Sequence, residues 1–304
     1  MNRMILHPFL LVTFALDFVF ASGVPLKEKL LIIHADDIGM SHSVNRASFA
    51  VMKAGLVRSG SVMVPCPWIL EALQLATESP ELDLGVHLTL NSEWRNYRWA
   101  PVSPAALVPG LIDPQGYLWR DTSEIVSRAT DAEVEQEMRA QIERALALGF
   151  KPSHLDSHMG TLFARPGFLK AYLKLAQEFS LKGMLPRWSP EVETTLTRLG
   201  FPAAALKPIA LEAERQGLVT LDQLVLGVVG ASLEDRRRSY EQVFRNLKPG
   251  VTQVIIHPGI SDEELNGITN SAPARDADHK IFSDPATKTL LDALNIRVIS
   301  WRDL

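Results

Sequence analysis

The chain has 304 residues, 46% of them hydrophobic and 22% charged, ordinary globular values that exclude a disordered or fibrous protein. Its net charge of −4, with no Lys/Arg block, argues against a protein that tracks nucleic-acid phosphates. This length can bury a large core, as one α/β barrel or as two smaller domains.

Residues 1–21 open with a short positive start at Arg3, run through an apolar centre, and end with Val19 and Ala21 at the spacing of a cleavage site. They read as a removable secretory signal, with a buried N-terminal helix as the plain alternative. The mature domain is then 22–304, secreted or periplasmic. Pro8 and Asp17 interrupt the apolar run and argue against a permanent membrane span.

Leu30–Ile33 is continuous, partly β-branched and too short for a helix, the pattern of a buried parallel strand. It leads into two adjacent carboxylates, Asp36 and Asp37, at the carboxyl end where α/β proteins build their sites. Neighbouring carboxylates repel, so a cation or a shared proton is needed to hold both. A helix follows, opening at Ser41 or Ser43 and stopping at Gly55. Arg58–Val64 is a second strand, Trp68–Thr77 a second helix, and Leu82–Leu90 a third strand with His87 near its carboxyl end. The one cysteine, Cys66, has no partner for an intrachain disulfide and no nearby base, so it reads as a packed, inert thiol.

From Asn91 to about Thr130 the alternation stops, and Trp94, Tyr97, Trp99, Tyr117 and Trp119 fall among prolines and glycines. Flat apolar faces beside polar side chains suit a sugar ring, while the simpler reading is that the aromatics pack this insertion down. Thr130 and Glu133 form a capping-box pattern ahead of a helix that stops at Gly149. KPSHLDSHMG comes next, placing His154, Asp156 and His158 on a strand and the loop leaving it. Pro166–Ser180 is helical and Lys182–Leu185 a strand, but Trp188–Gly217 shows no boundaries. After a weak strand at Leu218–Leu221, Ser232 starts a helix that ends near Lys248, and strand Val251–Ile256 delivers His257. Helix Pro285–Leu294 and strand Ile296–Ser300 complete the chain. Seven or eight strands alternating with helices, without repeats or a linker, indicate one (β/α) TIM-like barrel with an aromatic-rich insertion after the third strand.

In such a barrel the strand ends converge. One aspartate with two histidines is a common divalent-metal set that leaves positions open for water and substrate, and Asp37, His87 and His158 supply it. Asp36 is then free to act as general base toward a metal-activated water attacking a carbonyl, and His257 to protonate the leaving group. Asp156, with His154 on the same strand, is placed to orient a ligand histidine through its other ring nitrogen. Trp94, Tyr97, Trp99 and Arg275 are the substrate-binding candidates. Two imidazoles favour zinc, and one carboxylate with open positions also allows magnesium.

HADDIG, GVHLTL, PSHLDSH, IIHPG and the terminal ISWRDL, in this order across the mature chain, resemble the YdjC-like carbohydrate deacetylases, the family that includes chitooligosaccharide deacetylases. The resemblance implies a TIM-barrel-like fold, one divalent metal, and hydrolysis of the N-acetyl group of an amino sugar or oligosaccharide. It places the ligands on Asp37, His87 and His158, the base on Asp36 and the acid on His257. The chain departs from the pattern at His34, where Asn is usual, and at Met159–Thr161, where a histidine-rich segment is common. A metal-dependent hydrolase of another bond, such as a phosphoester or cyclic amide, and a non-catalytic sugar-binding protein are the competing functions. The composition is compatible with a homo-oligomer.

Overall fold

The apolar run Leu30–Ile33 becomes the centre of the sheet. In the computed structural model, residues 28–218, 221–230 and 232–304 are described, and the expected secretory signal lies outside them. Strand β1 (Lys29–Ile38) pairs along one edge with β7 (Gly250–Ile256). Its other edge is shared, first with β8 (Ile296–Ile299) and then with β2 (Ser59–Val62). Beyond β2 follow β3 (Asp83–Leu88), β4 (His154–Ser157) and β5 (Lys182–Gly183), and beyond β7 comes β6 (Gln223–Val225). Every pairing is parallel.

The eight described strands thus form one curled parallel sheet, in the order β5-β4-β3-β2-β1-β7-β6 with β8 against β1. The edges at β5 and β6 approach through a single bridge, Pro186 to Leu221. The regular ring expected from strand counting is not the observed order. Strand β1 has ten residues and β2 only four, so the first half of β1 is left for β8.

Alternation divides β1 cleanly. Leu31, Ile33 and Ala35 pack with Phe49, Tyr240, Phe244, Phe282 and Leu291 under the outer helices, while Leu30 and Ile32 face the other way. Each such buried side chain contributes about 1.5–3 kcal/mol, which holds the helices against the sheet.

Helix α1 (His42–Lys53) starts where Ser41 Oγ accepts from Val44 N–H, and α2 (Ile69–Thr77) follows β2. Next come α3 (Thr122–Arg128) and α4 (Asp131–Ala147), the latter with the reciprocal Thr130/Glu133 capping box. Helix α5 (Pro166–Glu178) precedes β5, and the stretch without readable boundaries contains α6 (Pro190–Arg198) and α7 (Ala203–Arg215). Helix α8 (Leu233–Arg245) is capped by Ser232, and α9 (Glu263–Ile268), α10 (Ala272–Ser283) and α11 (Pro285–Ala293) close the chain.

Between β3 and α3 the backbone is irregular, with two short 3-10 turns and an antiparallel bridge from Ile112 to Leu118. Helix α4 pins it: Glu137 accepts from the N–H groups of Val102 and Ser103, and Glu133 from that of Gly110. Cys66 is buried against Met63, and burial pushes its thiol pKa up, as expected of an inert cysteine.

Candidate metal and catalytic site

Consecutive residues of a strand point to opposite faces, so Asp36 and Asp37 cannot both face one site from a regular β1. The chain resolves this with a register shift between Ala35 and Ile38 and a left-handed Asp37, φ 68°. Aspartate tolerates that conformation better than most side chains. Gly39, at φ 91°, then turns the chain into α1.

Asp37, His87 and His158 meet. Asp37 Oδ1 lies 3.4 Å from His87 Nε2 and 3.3 Å from His158 Nδ1, and the two nitrogens are 3.3 Å apart. Ligand bonds of about 2.0–2.1 Å imply donor–donor edges of about 3.3–3.4 Å around a tetrahedral ion and about 2.9 Å around an octahedral one. All three residues are buried, and among the described residues Asp37 Oδ1 is a buried acceptor without a hydrogen-bond partner. The donor set therefore fits a small divalent cation, and tetrahedral spacing matches the triangle better.

The electrostatics point the same way. Burial alone would raise the Asp37 pKa, but Arg275 first, then His158 and His87, hold it well below the usual carboxylate range. Burial would likewise keep both imidazoles neutral. Asp156 and Asp36 instead raise His87 well above its ordinary value, and Glu93 and Asp37 raise His158 to about 9. Four carboxylates thus favour positive charge at this point, which a divalent cation supplies while taking neutral imidazoles as ligands.

The supporting contacts fix the rings. His87 Nδ1 is 2.7 Å from Asp156 Oδ1, and Ser61 Oγ donates to Asp156 Oδ2 at 2.8 Å. Asp156 thus contacts a candidate ligand at its other ring nitrogen, the arrangement that fixes an imidazole's orientation. His158 Nε2 makes the equivalent contact to Glu93 Oε2 at 3.1 Å. Sequence reasoning missed Glu93, because an irregular loop delivers it and no periodicity marks it.

Asp36 is 5% exposed, with Oδ1 2.7 Å from His34 Nδ1 and Oδ2 3.9 Å from His87 Nε2. His154 bonds to His34, Nε2 to Nε2 at 2.7 Å, rather than to a candidate ligand. His34 was also missed as a site residue; its signal was the His-x-Asp spacing, which puts it on the same face as Asp36.

His257 leaves β7 with its backbone N–H donating to Asp278 Oδ2 at 3.0 Å. Burial lowers its pKa, opposed by Asp37 and reinforced by Arg275, so it belongs to the same cluster of charges. Arg275, on α10, places Nη2 2.5 Å from Asp37 Oδ2, while its buried Nη1 has no partner among the described residues.

The aromatic candidates separate. Trp99 is 3% exposed and its indole N–H donates to the Asn91 carbonyl, so it has no face for a sugar; the expectation of substrate stacking there is corrected. Tyr97 is half-buried and its hydroxyl donates to the Met40 carbonyl at 2.6 Å. Trp94 is half-buried, edge-on to Trp99, with the Arg275 guanidinium 5.9 Å from its ring centroid.

Residues 30–293 match the family model described as YdjC-like protein. A carbohydrate deacetylase of Brevibacillus brevis is 37% identical over 275 residues, covering 90% of this chain and 99% of the relative. A carbohydrate deacetylase of Thermus thermophilus is 33% identical over 276 residues, covering 90% and 93%. Among solved structures, a candidate cellobiose-phosphate cleavage protein of Enterococcus faecalis aligns with a TM-score of 0.75 at 26% identity, covering 91% of this chain and 98% of the other.

Proposed function

The chain belongs to the YdjC-like family, and on that premise we propose that it is a metal-dependent carbohydrate deacetylase, hydrolysing the N-acetyl group of an amino sugar or oligosaccharide. The observation that carries this reading is the triangle of Asp37, His87 and His158, with edges of 3.3–3.4 Å and Asp36 beside it.

Asp37, His87 and His158 would hold a divalent cation, zinc on the spacing and the two imidazoles, with magnesium also allowed by the carboxylate and open positions, and that ion would supply Lewis acidity toward water and the amide oxygen. Asp36 Oδ2 accepts the proton of the attacking water as the new C–O bond forms. His257, starting as its imidazolium, which Asp37, Asp36 and Asp278 favour against burial, donates a proton to the amide nitrogen as the C–N bond breaks, leaving acetate and a free amine. Arg275 Nη1 offers an unused donor to the substrate, and Trp94 an apolar face under it.

The signal-like residues 1–21 support action outside the cytoplasm on extracellular or periplasmic glycans. Purified protein should release acetate from N-acetylglucosamine or its oligomers, stop on chelation, and resume with added zinc or magnesium. Metal-loaded protein that cleaves phosphoesters or cyclic amides but releases no acetate would refute this reading.

A further inference from the structure

We infer that the buried pair His34 and His154, backed by Trp301 from the C-terminal ISWRDL block, is a positioning device that dedicates one oxygen of Asp36 to the reaction. The inference rests on reading Asp36 as the base. A column of contacts runs away from the site: His34 Nδ1 lies 2.7 Å from Asp36 Oδ1, and His34 Nε2 lies 2.7 Å from His154 Nε2. His154 Nδ1 in turn lies 2.7 Å from Ser153 Oγ, which also bonds Asp83. Both histidines are fully buried.

Two ring nitrogens that close share a single proton, so one ring donates and the other accepts. A carboxylate oxygen can only accept, so His34 must carry its Nδ1 hydrogen to bond Asp36 in either arrangement. Asp156 Oδ2, at 3.7 Å from the same nitrogen, is too distant to compete. Burial first, then His34, push the His154 pKa down to about 3, which keeps its ring neutral. Asp36 Oδ1 is thereby taken, and Oδ2, on the His87 side at 3.9 Å, is the oxygen left for the attacking water.

The lower end of the column is held as firmly. Trp301 stacks on His154 with centroids 5.1 Å apart and planes 16° apart. Its indole N–H donates to Gln253 Oε1 at 2.9 Å, and its carbonyl accepts from Lys182 Nζ at 2.6 Å. A Cβ at Gly85 would lie 2.6 Å from the His154 ring, so the glycine of GVHLTL makes room for it. Neither Trp301 nor Gly85 belongs to the metal triangle, yet both decide where the His154 ring sits.

The test pairs two polar substitutions at one buried position. In His34→Asn the amide nitrogen falls near the imidazole Nδ1 position and still reaches Asp36. In His34→Gln it falls near the Nε2 position and reaches His154 instead. We expect His34→Gln to lower kcat by about 10–100-fold with KM and bound metal unchanged, and His34→Asn to recover most of that loss. In an Asp36→Asn background, His34→Gln should cost no further activity. Equal losses in both substitutions, or an undiminished loss in that background, would overturn the positioning role. Full activity of Asp36→Asn would overturn the reading of Asp36 as base, whereas an inactive Asp36→Asn with a fully active His34→Gln would overturn this inference alone.

Discussion

Arg275 Nη2 sits 2.5 Å from Asp37 Oδ2, bringing helix α10 onto the end of strand β1. The contact leaves Asp37 Oδ1 facing His87 and His158, so the arginine decides which carboxylate oxygen is offered to a cation. Both partners are buried, and removing one member of such a pair typically costs about 3–5 kcal/mol because the other stays charged. Arg275→Met should therefore lower the melting temperature of metal-free protein. Excess divalent ion should restore part of the loss by supplying the missing positive charge. A melting temperature unchanged with or without metal would contradict this role.

The triangle itself predicts the metal content. Wild-type protein should bind one divalent ion per chain by elemental analysis, whereas Asp37→Ala and His158→Ala should bind none stably. An ion present at about 100 times its dissociation constant adds about 2.7 kcal/mol to stability. Chelation should accordingly lower the wild-type melting temperature by on the order of 5 °C and leave both variants unmoved. Full metal content in Asp37→Ala would refute the ligand assignment.

Glu93 makes a narrower prediction. Its contact to His158 Nε2 holds the ring so that Nδ1 faces the triangle. Outer carboxylates of this kind commonly change metal affinity by about 10–100-fold when removed. Glu93→Ala should lower affinity by that factor in chelator competition, and because Glu93 also helps raise the His158 pKa to about 9, the metal-free protein should lose some thermal stability at and below neutral pH. An unaltered affinity would leave Glu93 a loop residue only.

What the sequence displayed, and what it hid, follows from where each residue lives. Asp37, His87 and His158 were legible because apolar runs ending in polar residues mark strand ends, and parallel strands bring their ends together. Asp156 was legible through its alternation with Leu155, which lies in the core while Asp156 bonds His87. Strand β6 has three residues, too few for any periodicity, and was not read, whereas β5, β7 and β8 overlap the runs read as strands at Lys182–Leu185, Val251–Ile256 and Ile296–Ser300. Arg275 was placed among the substrate-binding candidates, but its contact with Asp37 depends on α10, whose mixed polar sequence gave no helix to place it on. Trp99 misled because composition alone does not separate an aromatic that packs from one that binds.

Trp94 and Trp99, five residues apart and edge-on with centroids at 5.4 Å, should therefore respond in opposite ways to truncation. Trp99 is 3% exposed in the core, and replacing a buried tryptophan by alanine costs about 3–5 kcal/mol. Trp99→Ala should lower stability by that amount, read from denaturant unfolding, and the protein that remains folded should keep its KM. Trp94 is only partly buried and lies under Arg275, so Trp94→Ala should unfold at nearly the wild-type denaturant concentration. A sugar stacked there gains about 0.5–1.5 kcal/mol beyond its buried area, so its loss should raise KM several-fold. Should Trp94→Ala leave KM unchanged for every N-acetylated sugar that the wild type deacetylates, the apolar face under Arg275 serves packing alone, and the substrate must be gripped elsewhere at the mouth.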